Sequence, residues 1–593
     1  MMMIVLVGWL LAVAGCSDQS AETEDAATPA VDQTDEIQQE EMKQSAPLAM
    51  TKYGQVEGTV EDGILTFRGV RYGADTSTTR FEAPDEPEPW NDIADAKAYG
   101  ASCPQTPLGS GGGLFSSWVP DPVPPRSEDC LFLNVWTPAV GDDGERPVMV
   151  WFHGGGFSSG SGSSTVYEGV NLAQRGDVVV VTVNHRLNVF GYLALGHYGE
   201  GFEDSSVAGV LDMVQALEWV RDNIANFGGD PDTVMIFGES GGGAKVSTLM
   251  ATPAAKGLFH RAVVQSGAML RFPEQEVAQT AADKVVENLG LTQETIDEIK
   301  TLPVEDIRAA LEGTGAATAP SIDGKTLTRH PFEPDAPPAS KDIPLILGTN
   351  RTENSLFVGG ANPKTFELTW ESLEAAMKKQ YPDRDIEKII AGYRELQPES
   401  DPSDIYFEAT TDARWFAGHV TMAERKSEQG GAPAYQYLFN WDTPVDGGKW
   451  RSPHALEIGF VFDNVENSES MSGIGEEQQQ IADIMAETWI SFARTGNPNN
   501  PKIPQWPAYN LEDRPVMVFD ETPEVVNDAR GERTCACSTI ASLTAPATTR
   551  TSNRSTMPAM IESDHAALDV GNHDQRALPA LGLREGRTGA ACR

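Results

Sequence analysis

Phe237-Gly238-Glu239-Ser240-Gly241-Gly242-Gly243-Ala244-Lys245-Val246 is the stretch that decides the fold. Ahead of it the apolar run Thr233-Val234-Met235-Ile236-Phe237, bounded by Asp230-Pro231, reads as a buried parallel strand, and residues 244–250 behind it read as a helix. A serine therefore stands at a strand-to-helix turn. Gly238 and Gly242, two before it and two after, leave no Cβ where strand and helix nearly touch, so the backbone doubles back and lifts the Ser240 hydroxyl above the sheet. A Gly-x-Ser-x-Gly string alone also turns up in glycine-rich loops, and this chain has 56 glycines. The strand before it and the helix after it give the string its meaning.

Outward from this turn, residues 131–136, 148–152 and 178–183 are apolar runs rich in β-branched residues, as expected of strands covered on both faces. Residues 211–224 carry apolar side chains at helical spacing, and Asn226-Phe227-Gly228-Gly229-Asp230-Pro231 ends that helix. Alternation of this kind predicts an α/β fold with a large, mostly parallel central sheet flanked by helices. Beyond 251 the pattern loosens into helical stretches at 277–289, 292–299 and 370–379 around a strand at 343–348, and these helices are expected to cap the sheet. A late strand at 435–439 precedes a long amphipathic helix at 476–492, stopped by Gly496 and Pro498. Upstream, Gly54-Gln55-Val56-Glu57-Gly58 and Ile64-Leu65-Thr66-Phe67-Arg68-Gly69 read as an antiparallel hairpin region. There is no internal repeat, and no second domain is predicted within 50–531.

The two ends differ from this body. Residues 4–14 are apolar but short for a membrane span, and they run into Val13-Ala14-Gly15-Cys16. This resembles a bacterial lipoprotein signal, which implies removal of residues 1–15 and lipidation of Cys16. No Lys or Arg precedes the apolar run, which departs from such signals and keeps an ordinary secretory signal or a membrane helix as alternatives. Residues 16–49, acidic and free of aromatics, read as a disordered tether, and residues 532–593, without Phe, Trp, Tyr or Lys, read as a disordered tail. The net charge of −43 excludes nucleic acid and anionic surfaces as partners, because an acidic face repels phosphate. The expected location is the cell envelope, anchored by lipid, or alternatively the secreted fraction.

A serine hydroxyl is a weak nucleophile at neutral pH, so Ser240 needs a histidine to take its proton and a carboxylate to orient that histidine. Trp151-Phe152-His153-Gly154-Gly155-Gly156-Phe157 follows a buried strand directly, and backbone without side chains can there turn its N–H groups toward one point, as an oxyanion hole requires. Phosphate binding is excluded, since no lysine follows at P-loop spacing. No Cys/His cluster has zinc-ligand spacing, and neither metal nor cofactor is expected.

Together with Ser127-Glu128-Asp129-Cys130-Leu131-Phe132-Leu133-Asn134-Val135 and Phe227-Gly228-Gly229-Asp230-Pro231, these strings resemble the type-B carboxylesterases, the α/β-hydrolase family that includes the cholinesterases. The resemblance spans about 50–530. It implies that the acid is Glu353, within Leu347-Gly348-Thr349-Asn350-Arg351-Thr352-Glu353-Asn354-Ser355-Leu356-Phe357; taken alone, a glutamate in so acidic a chain would be read as a solvated surface group. Four histidines follow it: His419, His454, His565 and His573. The string Ser452-Pro453-His454-Ala455-Leu456-Glu457-Ile458-Gly459-Phe460 resembles the family's histidine motif and selects His454, while His419, in a helical stretch, is expected to be structural. By the same resemblance the oxyanion donors are the N–H groups of Gly155, Gly156 and Gly241. Gly241 departs from the family's usual alanine, which keeps the N–H and implies a looser turn. Glu239 is either a charge-stabilising neighbour of the serine or a plain turn carboxylate.

With Cys16 acylated, Cys103 and Cys130 are the only cysteines within 50–531, and an exported chain meets an oxidising compartment. The resemblance likewise implies a disulfide between them, together with a buried Arg80–Glu128 ion pair. Trp118 lies near the cation-binding tryptophan of cholinesterases but two residues off in spacing, and packing is the expectation for it. The function implied is hydrolysis of a small-molecule carboxylic ester through Ser240, His454 and Glu353 with an acyl-enzyme intermediate. The alternative is a catalytically silent binding or adhesion member of the same fold.

Overall fold

The computed structural model describes residues 46–105, 113–314 and 319–530. Within them a small sheet joins β1 (Leu48–Met50), β2 (Gln55–Glu57) and β5 (Ala94–Asp95). The large sheet has eleven strands: β3 (Thr59–Glu61), β4 (Ile64–Arg71), β6 (Phe132–Thr137), β7 (Arg146–Phe152), β8 (Val179–Val183), β9 (Gly229–Glu239), β10 (Arg261–Gln265), β11 (Leu345–Asn350), β12 (Ala434–Phe439), β13 (Pro515–Phe519) and β14 (Glu524–Asn527). Their spatial order is β14-β13-β12-β11-β10-β9-β7-β8-β6-β4-β3. Every pairing from β8 across to β13 is parallel, and antiparallel strands close both margins.

Period-two alternation divides the parallel strands between two cores. Val148, Val150 and Phe152 of β7 and Ile236 of β9 face a core built with the helices Ala208–Asn223 and Gly241–Ala251. Met149, Trp151, Met235 and Phe237 face the opposite core, filled by Met485, Trp489 and Phe492 of the helix Glu476–Thr495. Both faces are covered, which is why these strands are apolar throughout rather than alternating. Three further helices, Trp370–Gln380, Ile386–Leu396 and Pro402–Thr411, pack on one another through Leu373, Ile389, Tyr393 and Phe407; only the first coincides with a stretch read as a capping helix, and the helix Gln275–Asn288, read at 277–289, packs in a separate cluster through Ala282 and Val285.

Several boundaries differ from the sequence reading. Residues 292–299 give only a 3-10 turn, Ile296–Lys300, where Thr292, Thr295 and Glu294 bond among themselves and leave no longer amphipathic face. Strand β9 begins at Gly229 and runs through Pro231, because its register against β7 shifts between Arg146 and Val148 and so accommodates the proline. The tether assigned to 16–49 gives way earlier to ordered chain, since Leu48–Met50 is already paired with Gln55–Glu57. The signal at 1–15, Cys16, most of the tether and the tail at 532–593 lie outside the described residues. Among the described residues no helix is long and apolar enough to cross a membrane.

Cys103 and Cys130 are joined in a disulfide across 27 positions, a closure contributing about 3–4 kcal/mol in the chain-entropy account. Arg80 grips Glu128 with two parallel bonds, Nε to Oε1 and Nη2 to Oε2, each 2.5 Å. Trp118 is buried on a 3-10 turn, with its ring edge-on to Phe115 at 4.9 Å.

Candidate active site

The carboxyl ends of β7, β9, β10 and β11 lie side by side, where an open α/β sheet gathers its chemistry. Ser240 follows β9 directly and heads the helix Gly241–Ala251, with φ 57° and ψ −121°. A side chain at positive φ is strained, and here the strain is held from both sides: Ser240 N donates to Gln265 O at 2.9 Å and its carbonyl accepts from Ala244 N at 3.1 Å. A Cβ on Gly242 would overlap the Phe152 carbonyl oxygen and one on Gly238 would press on both, so only glycine fits on either side of the serine.

Glu353 lies just past β11 and is wholly buried. Its Oε1 accepts from Ser266 Oγ at 2.6 Å and from Asn350 N at 2.8 Å, and its Oε2 meets His454 Nδ1 at 2.5 Å. The two loops are laced together by Thr352 N to Ser452 O, Ser452 N to Thr352 Oγ1 and Asn350 Nδ2 to Pro453 O, at 3.1, 3.0 and 2.7 Å. With Nδ1 given to the carboxylate, His454 Nε2 is left buried and without a hydrogen-bond partner. Ser240 Oγ is thus not bonded to it in this structure, and apo sites commonly tighten only with substrate bound. Phe357 and Trp415 flank the imidazole, each with its ring centre 4.7 Å away.

Glu239 is buried beside the serine, its Oε1 3.1 Å from His454 Nε2 but out of line for a hydrogen bond. Burial, then the charges of Glu457 and Glu353, hold its carboxyl well above the usual range. Glu457 accepts from Asn350 Nδ2 at 2.7 Å and Gln265 Nε2 at 3.2 Å, and burial with Glu353 nearby pushes it up to about 7. Glu239, Glu353 and His454 have ligand-type atoms within 4.8 Å of one another. The Glu353 Oε2 and His454 Nδ1 atoms are already committed to each other, so the arrangement reads as an acid–base pair with a carboxyl neighbour.

Gly155 and Gly156 both adopt left-handed φ, 83° and 63°, after β7. Neither they nor Gly241 spends its N–H on a turn or loop bond among the described residues. Gly241 packs flush on Gly156: a Cβ there would overlap its backbone, so the turn predicted to be looser is instead close-packed. His419 lies behind the site, accepting from Gly267 N at 3.3 Å through Nε2 and donating from Nδ1 to Trp415 O at 2.9 Å. Burial lowers its pKa to about 4, consistent with a neutral structural imidazole.

Ser266, Glu457, Phe357 and Trp415 were not singled out from the sequence. Ser266 follows β10, whose apolar part is only Ala262-Val263-Val264, too short to be read as a strand. Glu457 and Phe357 stand three and four residues beyond the histidine and the acid, one helical turn on, and that spacing is the signal available for them.

The Carboxylesterase family profile matches residues 45–538. A para-nitrobenzyl esterase of Bacillus subtilis is 37% identical over 498 residues, covering 82% of this chain and 97% of its own. A phenmedipham hydrolase of Pseudarthrobacter oxydans is 32% identical over 504 residues, covering 81% and 97%. The crystal structure of a Geobacillus stearothermophilus carboxylesterase superposes with a TM-score of 0.71 at 35% identity, covering 82% of this chain and 99% of that one.

Proposed function

The chain belongs to the carboxylesterase family and is a carboxylesterase, and from that premise we propose that Ser240, His454 and Glu353 act as its nucleophile, base and orienting acid through an acyl-enzyme. The observation that carries the reading is the polarity of His454: Nδ1 is held by Glu353 while Nε2 is left without a partner. A neutral imidazole so fixed has its lone pair on Nε2, available for the serine proton.

In the first half-reaction Ser240 Oγ bonds to the ester carbonyl carbon as its proton passes to His454 Nε2. The carbonyl oxygen becomes an oxyanion facing the N–H groups of Gly155, Gly156 and Gly241. Collapse breaks the bond to the alcohol oxygen, which leaves with the proton from Nε2. Water then repeats the sequence on the acyl-enzyme, giving its proton to His454 and releasing the acid, with Ser240 re-protonated. The Glu353 charge balances the imidazolium formed in each half. The para-nitrobenzyl esterase and phenmedipham hydrolase similarity supports a small-molecule ester as substrate. A silent binding role is disfavoured because all three groups are present. The test is turnover of nitrophenyl esters of graded acyl length: Ser240→Ala or His454→Ala should lower kcat by on the order of 10⁴–10⁶, and near-normal turnover in either folded variant contradicts the assignment.

Lipid anchoring through Cys16 is supported by the apolar run 4–14 and the small residues ahead of the cysteine. Cys16→Ser should move the protein into the soluble fraction; retention on membranes would favour an uncleaved apolar anchor.

A further inference from the structure

Lys245, five residues past the nucleophile on the helix Gly241–Ala251, is wholly buried, and among the described residues it has no carboxylate partner. A buried lysine without a counter-ion is costly, and an apolar side chain would fill the space at less expense. Its one hydrogen bond runs from Nζ to His153 O at 2.7 Å. Nζ also lies 5.9 Å from the ring centre of Phe157. Those two residues bracket Gly154-Gly155-Gly156, one before the loop and one after.

The groups around the amine are basic or neutral. His153 and His185 stack with ring centres 4.9 Å apart, and each aims Nδ1 at a backbone carbonyl, Gly154 O at 2.9 Å and Arg186 O at 3.0 Å. Both Nε2 atoms are buried without a partner. Burial pushes the lysine well below its ordinary pKa and, with Lys245 close by, does the same to both imidazoles. The cluster therefore favours its uncharged forms, and an uncharged amine still donates to a carbonyl.

The same helix already meets the loop, and the end of β7 that leads into it, at two places where no side chain fits. A Cβ on Gly241 would overlap Gly156, and one on Gly242 would overlap the Phe152 carbonyl. Those contacts set how near the loop lies but give it no direction. The His153 carbonyl, by contrast, stands at the head of the peptides that run through Gly154 to two glycines with left-handed φ, and holding it fixes the end from which they start. We propose that Lys245 is a positioning residue for the oxyanion loop: its bond to His153 O keeps the Gly155 and Gly156 N–H groups aimed at the point that Gly241 N–H also serves. This rests on the reading of the site as ester-hydrolysing.

The test compares wild type with Lys245→Met, unbranched, one atom shorter and without the donor, and Lys245→Gln, also one atom shorter but keeping an N–H. For each, kcat and KM are measured on 4-nitrophenyl butyrate, together with affinity for a trifluoromethyl ketone, whose serine adduct carries the oxyanion, and the melting temperature. Lys245→Met should lose roughly 10- to 100-fold in kcat and in ketone affinity together, with KM within about twofold and melting temperature unchanged or higher. Lys245→Gln should fall between the two. Wild-type kcat and ketone affinity in Lys245→Met would overturn the proposal, as would losses accompanied by a lower melting temperature, which would mark a packing role. If the methionine variant does not fold, wild-type ketone affinity in Lys245→Gln with slowed turnover overturns it, and parallel losses support it. A wild type that neither turns over the ester nor binds the ketone would overturn the ester-hydrolase reading instead.

Discussion

Glu239 Oε1 stands 3.1 Å from His454 Nε2, on the edge of the ring opposite Glu353, yet the two atoms are not aligned to hydrogen-bond. His454 thus sits between two buried carboxyl groups in different surroundings. Glu353 accepts three hydrogen bonds, whereas the Glu239 carboxyl is pushed toward its protonated form by burial and by the charges of Glu457 and Glu353. An uncharged Glu239 leaves Nε2 free for the serine, while an ionised one would hold a proton on it.

Glu239→Gln imitates the protonated carboxyl. Its kcat on 4-nitrophenyl butyrate should stay within about tenfold of wild type, whereas a requirement for the negative charge would show as a loss of roughly 10²-fold or more. The comparison separates the neutral role from the charge-stabilising one.

Glu457 supplies a pH signature in stability. Its folded pKa of about 7 lies above the ordinary 4.5, so between those values the folded state binds more protons than the unfolded chain. The stability it contributes is present below the lower value and lost as pH rises through the upper one, a swing on the order of 3 kcal/mol. Glu457→Gln removes the titration. Denaturant melts at pH 5 and pH 8 should show the wild type losing ground to the variant as pH rises, and parallel pH dependences in the two proteins would refute this.

How much of this was legible before the structure depends on how local each signal is. Ser240 was readable because the strand, the glycines and the helix that force its geometry all lie within about twenty residues. Glu353 and His454 were readable only through resemblance, since a lone carboxylate and a loop histidine carry no local mark, and the 2.5 Å bond joining them spans 101 positions. Ser266 and Glu457 escaped because their roles exist only once β10 and β11 pair. Strands β13 and β14 were missed as well, and β14 is a half-exposed margin strand with little apolar pattern. The opposite error at Gly241 is instructive: the missing side chain suggested slack, but its space is occupied by Gly156.

Gly242 should tolerate no side chain. Gly242→Ala places a Cβ into the Phe152 carbonyl, part of a strand paired on both sides, and should destabilise by at least about 1–3 kcal/mol or prevent folding. Gly360→Ala, where a Cβ meets open space in helical backbone, should be neutral or stabilising by up to about 1 kcal/mol. Equal melting temperatures for the two variants would contradict the packing described for the serine turn.

Arg530 marks how far the ordered body must extend. Its buried guanidinium pairs with Asp412 and donates to Arg351 O at 3.2 Å, two residues before Glu353. Truncation after Arg533 keeps this pair and should leave ester turnover intact. Arg530→Met should cost about 3–5 kcal/mol by removing the cation paired with buried Asp412. Loss of activity in the truncated protein would make the 534–593 segment part of the fold, against its composition.

Labelling with a fluorophosphonate, followed by mass spectrometry of the intact chain and its peptides, tests most directly whether Ser240 is the nucleophile. Such a reagent needs an activated serine, and covalent capture reports the nucleophile itself rather than its consequences. One adduct per chain is expected, on Ser240, formed rapidly by wild type and slowed at least about 10³-fold in His454→Ala. No adduct on a folded wild type, an adduct on a different serine, or undiminished labelling without His454 would contradict that assignment.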